Sequence, residues 1–291
     1  MAEITPHLWF DTEAKEATEF YTTLFGDSRI DNTAVLRDTP SGDCDVVAFT
    51  LAGQPFEAIS AGPLFKFNPS ISFTVACETT GEVDSLWKKL IDGGTALMPL
   101  DSYPFSERYG WLNDRYGLSW QIMHTPQVTQ KITPSLLFVG DNCGNAEKAI
   151  DLYTSVFNDS AVDHLERWGS GQEPEKEGTV LHAGFQIEGY KLTAMDSARE
   201  HNFAFNEAIS LIVYCDTQEQ IDYYWDKLSA VPESEQCGWL KDRFGVSWQI
   251  VPRVMDKMMQ ADEETLARVT QAFLAMHKLD IAKLEAAYAG R

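Results

Sequence analysis

Residues 110–122, Gly-Trp-Leu-Asn-Asp-Arg-Tyr-Gly-Leu-Ser-Trp-Gln-Ile, return as residues 238–250, Gly-Trp-Leu-Lys-Asp-Arg-Phe-Gly-Val-Ser-Trp-Gln-Ile, with ten of thirteen positions identical. A second copy 128 residues downstream marks a duplicated unit and confines the chain to folds assembled from equivalent halves. In each copy an Asp-Arg-aromatic-Gly turn separates two short runs of aromatic and aliphatic residues. That is the pattern of a β-hairpin with Gly117 or Gly245 at positive φ. Strand side chains alternate, so Leu118, Trp120 and Ile122 share one face while Ser119 and Gln121 share the other. One face calls for a core; its opposite accepts water or a ligand.

The duplication reaches beyond the hairpin, because Ile4-Thr5-Pro6-His7-Leu8 is echoed by Ile132-Thr133-Pro134-Ser135-Leu136. Within the first copy a strand over 4–10 leads into a helix over 14–25, with Ala17, Phe20, Tyr21 and Leu24 on one stripe and Gly26 placed to end it. Strands over 29–36, 46–52 and 56–60 complete the order βαβββ. A strand over 70–77, a helix opened by the capping box Thr79-x-x-Glu82 and three further short strands repeat that order. The second copy matches element for element, with Thr217-x-x-Gln220 as its capping box. Its segment 228–238 is ten residues shorter than 90–110, which removes one edge strand and the counterpart of Tyr103-Pro104-Phe105. Beyond Pro252, Leu266, Val269, Phe273 and Met276 mark an amphipathic helix and Asp280 caps another. The expected domains are 1–126, a shortened 131–252, and a helical latch over 253–291.

At 291 residues and 44% hydrophobic content the chain can bury two cores. Forty-four acidic against 23 basic residues leave a net charge of −21, which repels phosphate backbones and anionic headgroups. Neither nucleic acid nor membrane is an expected partner. No basic-then-apolar leader pattern opens the sequence and no long apolar run follows, so a cytoplasmic location is expected. The five cysteines are scattered without a CxxC pair, and Cys143, near a helix start, reads as an inert thiol.

Four successive βαβββ units, two per copy, resemble the vicinal oxygen chelate superfamily, which includes glyoxalase I, extradiol dioxygenases and the fosfomycin and bleomycin resistance proteins. Ile4-Thr5-Pro6, Phe20-Tyr21, the stretch from Tyr103 to Trp111 and the Asp-Arg-x-Gly-x-Ser-Trp-Gln-Ile hairpins are similar to the PhnB-like group, often labelled 3-demethylubiquinone-9 3-methyltransferase. The resemblance implies an α+β fold of tandem vicinal-oxygen-chelate domains, four βαβββ modules forming curved half-barrel sheets, with C-terminal helices added. It also implies that each concave face holds a metal or ligand through its first, fourth, fifth and last strands. Those positions are His7, Glu57, Ser72 and Gln121 in the first copy, and Ser135, Thr193, Ser210 and Gln249 in the second.

Serine, threonine and glutamine bind zinc or iron poorly, so most of these positions are weak metal ligands. Two readings of function follow. In one, an aromatic cup holds a small organic molecule without any cofactor, with Trp9, Ser72, Phe105, Trp111, Gln121 and Gln249 as ligand contacts. In the other, His7 and Glu57 hold a divalent zinc, nickel, manganese or iron ion for a lyase, isomerase or dioxygenase reaction. The residues do not decide whether the chain is an enzyme. Gly169-Ser170-Gly171 is a lone GxG without a helical continuation, which gives the methyltransferase label no cofactor loop. Gln121 and Gln249 either contact ligand or satisfy neighbouring polar groups. The principal pocket is expected in the first copy. The two copies are expected to pair within the chain, and a homodimer would add a further interface.

Overall fold

The computed structural model describes residues 2–291. The first module comprises β1 (Glu3–Phe10), α1 (Ala14–Thr22), β2 (Arg29–Thr39), β3 (Gly42–Leu51) and β4 (Gln54–Ser60). The second comprises β5 (Ile71–Cys77), α2 (Thr80–Leu90), β6 (Thr95–Tyr103), β7 (Ser106–Asn113) and β8 (Ser119–His124). The third contains β9 (Ile132–Val139), α3 (Ala146–Val156), β10 (Ala161–Arg167), β11 (Val180–Ile187) and β12 (Tyr190–Ser197). The fourth, β13 (Ile209–Cys215), α4 (Gln218–Leu228), β14 (Trp239–Lys241) and β15 (Ser247–Pro252), is one strand short, as its deletion requires. The tail adds α5 (Val254–Met258), α6 (Glu263–Leu274) and α7 (Ile281–Tyr288). Among the described residues, no helix is long and apolar enough to cross a membrane.

Local chemistry sets the helix ends. The side chains of Thr79, Thr217, Asp262 and Asp280 each accept a backbone N–H three residues on, satisfying a donor that the first turn leaves unpaired. α1 departs from the sequence reading. It stops at Thr22, because the N–H groups of Thr23 and Leu24 turn back to the carbonyls of Phe20 and Tyr21, and Asp27 rather than Gly26 takes the left-handed conformation.

The two signature hairpins are built alike, with Gly117 and Gly245 both at φ +85°. Beneath the second turn, one carboxylate oxygen of Asp242 accepts from the N–H groups of Phe244 (2.8 Å) and Val246 (3.1 Å). Its other oxygen accepts from the Trp248 indole at 3.0 Å. Asp114 does the same for Tyr116, Leu118 and Trp120. The repeated Asp-to-Trp spacing thus records a buried carboxylate that joins a turn to a core indole.

The modules recombine across the copies. One compact unit runs through residue 66 and resumes at 206–291, with strand order β14-β15-β13-β1-β4-β3-β2. Its centre is the antiparallel β1–β13 pair, His7 opposite Ser210, flanked by the parallel pairs β1–β4 and β13–β15. The other unit, residues 67–205, has the order β10-β11-β12-β9-β5-β8-β7-β6, centred on the antiparallel β5–β9 pair with Ser72 opposite Ser135. The copies therefore pair within the chain by sharing sheets, and the compact units are not cut at 126–131. The outer modules join each other, as do the inner two.

The expectation of curved half-barrel sheets is corrected. Neither sheet is closed or curled: one is an open mixed sheet of seven strands ending at β14 and β2, the other of eight ending at β10 and β6. The edge strands explain why. β14 has three residues, and the ladders of β2, β6 and β10 are interrupted by register shifts, features that end a sheet instead of closing it.

Candidate functional site

The unit with the seven-stranded sheet carries a cavity of about 420 Å³, within the range of small-molecule sites. Alternate residues of the central strands form its floor: His7 and Trp9 of β1, Glu57 of β4, Tyr214 of β13 and Gln249 of β15. Register brings them together, since His7 pairs with Glu57 across β1–β4 and Ile212 with Gln249 across β13–β15. The tail supplies a further wall through Met255, Asp256, Met259, Phe273 and Leu279. Those helices share a hydrophobic cluster with Leu36, Cys44 and Ile59 of the sheet. The cavity thus draws on both copies and the tail, not on the first copy alone.

Three rings stiffen one side. Trp239 meets His7 edge-on at 5.5 Å and Trp9 at 6.4 Å, while Trp9 packs on Phe65 at 5.1 Å. The Trp9 indole donates to the Gly62 carbonyl at 2.8 Å, which fixes the ring plane. His7 is only 3% exposed, and its Nδ1 is buried without a hydrogen-bond partner. Burial pushes the imidazole down to about 3, so it is neutral at physiological pH. Beside it, Glu57 accepts a hydrogen bond from the Tyr214 hydroxyl. Burial raises the Glu57 carboxyl to about 7 against the pull of that bond, and the charge of Asp256 adds to the rise. Tyr214 is held well above its ordinary value, first by burial and then by Glu57 and Asp256. Gln249 donates to Ser210 at 2.8 Å.

Glu57 gives a pH-dependent prediction. Its carboxyl is raised from 4.5 to about 7 on folding, so the folded chain binds more protons than the unfolded chain between those values. The protonated carboxyl's contribution is complete below about pH 4.5 and is lost as pH rises through 7, a difference of about 3 kcal/mol. Glu57→Gln keeps an acceptor for Tyr214 and removes the ionisation. Thermal melts should show the variant above the parent near pH 8 and level with it near pH 4. Equal melting at both pH values would mean that the carboxyl is not held protonated by the fold.

The eight-stranded unit presents the equivalent positions with different chemistry. Ser135 and Thr193 stand where the first unit has His7 and Glu57. Thr193 donates to Ser135 at 2.7 Å, and Ser135 and Thr74 share a hydrogen bond of 2.8 Å. Gln121 donates to Ser72 at 2.8 Å and accepts from the Tyr109 hydroxyl at 2.7 Å, so both ends of its amide are satisfied internally. Gln121→Ala strands those partners and is expected to cost about 1–3 kcal/mol in urea unfolding, with no effect on ligand binding in the cavity. A loss of affinity at unchanged stability would reverse that assignment.

Of the expected contacts, Trp9 and Gln249 therefore line the cavity together with His7 and Glu57. Ser72, Phe105, Trp111 and Gln121 belong to the other unit. Phe105 is 62% exposed and stacks on Tyr103, and the Trp111 indole donates to Ser119 at 2.8 Å. Sequence reasoning missed Trp239, Tyr214 and Asp256. Trp239 is the repeat counterpart of Trp111, so the duplication itself held that signal. Asp256 follows the last strand in the tail, where no periodic pattern points to it.

A divalent metal in this fold needs imidazole, carboxylate or thiolate donors that converge. Here one neutral imidazole meets one carboxylate already bonded to Tyr214, while Ser210 and Gln249 bond each other. Among the described residues, no three His, Cys, Asp or Glu side chains are grouped to hold a metal ion. Cys143 offers no activated nucleophile, since burial and then Asp196 push its thiol above the ordinary value.

Comparison with solved structures defines the class. The chain shares the fold of glyoxalase I from Zea mays, with a TM-score of 0.56 at 10% identity over 90% of this chain and 97% of that one. That is the fold of the vicinal oxygen chelate superfamily. The chain is also 41% identical to the PhnB protein from Bacillus cereus, over 42% of this chain and 98% of that one, with a TM-score of 0.39. A model of the 3-demethylubiquinone-9 3-methyltransferase family matches residues 2–123 and again 130–251. The chain belongs to this PhnB-like family, in agreement with the motifs of its sequence. No curated protein matches it significantly.

Proposed function

We propose that the chain is a metal-independent binding protein whose ligand is a small organic molecule lodged in the cavity of the seven-stranded unit. The observation that carries this reading is a cavity of about 420 Å³ walled by Trp9, Phe65 and Trp239, with one uncommitted buried polar atom, His7 Nδ1. A buried polar group left unpaired costs about 1–3 kcal/mol, which a ligand recovers by bonding to it. Rings already fixed by their neighbours lose little freedom on binding, so the pocket is organised in advance. The metal-dependent lyase, isomerase or dioxygenase reading is less favoured, since among the described residues His7 and Glu57 are not part of a group of three His, Cys, Asp or Glu side chains placed to hold a metal. The methyl transfer named in the family's description finds no support in Gly169-Ser170-Gly171, which lies between strands β10 and β11 and not at the start of a helix.

Calorimetric titration with small aromatic compounds, on the parent chain and on Val46→Phe, tests the proposal. Val46 borders the cavity from β3, so the larger ring should occupy ligand space. Binding is expected to weaken by at least about tenfold while the melting temperature stays within a few degrees. Unchanged affinity in a folded Val46→Phe chain would place the ligand elsewhere and overturn the reading.

A further inference from the structure

The cavity lining is one-sided in charge. Glu57, Glu207, Glu233 and Asp256 border it and, among the described residues, no lysine or arginine does. Glu207 is neutralised by Lys241 at 2.7 Å. Arg253 lies over the Tyr214 ring at 5.4 Å, but its guanidinium is committed to Glu3 at 3.0 Å and Asp216 at 3.2 Å. Glu57, opposite His7 in the β1–β4 pair, is bonded to a neutral group, the Tyr214 hydroxyl. A half-buried carboxylate facing an apolar cavity without a cationic partner is costly, and the rings lining the same cavity present negative π faces. A desolvated organic cation satisfies both features, because the rings replace its hydration and the carboxylate supplies its counter-charge.

Resting on the reading of this cavity as the ligand site, we propose that its ligand is a small organic cation, an alkylated ammonium bearing an apolar group, with Glu57 as counter-ion and Trp9 and Trp239 against its alkyl groups. The net charge of −21 draws such a ligand toward the protein and repels anionic ones. Shape agrees with charge, since the remaining wall is aliphatic and aromatic: Ile59, Val251, Met255, Met259 and Phe273.

The assignment has a pH signature. The groups facing Glu57 are His7 on β1, neutral through burial; Tyr214 on β13; Asp256 on α5, raised by burial; and Arg253, before α5, which lowers Asp256. Glu3 is held by Arg253, and Glu207 and Glu233 border the same space. Burial leaves the Glu57 carboxyl about half protonated near pH 7 in the unliganded chain. A cation takes up the carboxylate form, so binding expels a proton and affinity rises with pH.

The test is calorimetric titration with benzyltrimethylammonium, whose charge does not change with pH, and with its uncharged isostere neopentylbenzene. The cation is expected to bind at least about tenfold more tightly than the isostere near pH 8, and about tenfold more weakly near pH 6 than near pH 8. Proton release should appear as a dependence of the heat on buffer ionisation. Glu57→Gln should bring the cation down to the level of the isostere, with a thermal melt establishing that the variant is folded. Asp256→Asn, on the tail, should weaken the cation severalfold and leave the isostere unaffected. If the isostere binds as tightly as the cation, the cation assignment is overturned while the small-molecule reading stands. If neither compound binds the parent chain, both are overturned.

Discussion

Asp242→Ala is expected to destabilise the chain by about 3–5 kcal/mol, because it removes the carboxylate that accepts from three buried donors at once. Asp242 is fully buried and takes the N–H groups of Phe244 and Val246 on one oxygen and the Trp248 indole on the other. Each buried donor left unpaired costs about 1–3 kcal/mol, partly relieved by water entering the new space. Trp248 is itself among the largest fully buried side chains, so freeing its indole loosens the core under β15 as well as the turn. Asp242→Asn should fall between the parent and the alanine variant. Its amide keeps one acceptor and presents N–H groups where the other oxygen stood. Urea unfolding measures the difference, and a loss below about 1 kcal/mol for Asp242→Ala would show that the carboxylate does not organise the hairpin. The equivalent change at Asp114 should cost a similar amount, since its three bonds have the same pattern and lengths of 2.9–3.0 Å.

Ending the chain after Pro252 is expected to have the largest effect of any single change. The tail buries Met255, Met258, Leu266, Val269, Phe273, Leu279 and Leu284 in the cluster that includes Leu36, Cys44 and Ile59. At about 1.5–3 kcal/mol for each large apolar side chain, the lost burial is on the order of 10 kcal/mol, comparable with the whole stability of an ordinary domain. It also removes Met255, Asp256, Met259 and Phe273 from the cavity wall. Hydrogen exchange should therefore show collapsed protection in β1, β4 and β13, together with loss of ligand binding. A truncated chain that keeps parental protection in those strands and still binds would make the helices an accessory to the site.

The modules were legible because their signals are local. Helix stripes, the Thr79 and Thr217 caps and the shortened segment after Leu228 depend on residues a few positions apart, and the structure places an element at each. Partnership between strands is a different kind of information. Parity states which face a side chain occupies, but β5 and β13 are copies of one strand, and either could lie beside β1 as far as pattern goes. A reading by copy groups His7 and Glu57 with Ser72 and Gln121, whereas their sheet neighbours are Ser210 and Gln249. The same limit separates Trp9 from Trp111 and hides its true neighbour, Trp239. Openness of the sheets was likewise unreadable, because alternation is identical in a flat and a curled strand, and the decision rests with the short or bulged strands at the edges.

The location of the ligand site is tested most directly by soaking crystals of the chain with small aromatic amines and uncharged aromatic compounds. Bound molecules are expected between the rings of Trp9 and Trp239, within reach of His7 Nδ1 and Glu57, against Phe273 of the tail. Compounds gathered instead around Ser72, Gln121 and Ser135 of the eight-stranded unit, with the cavity empty, would contradict it.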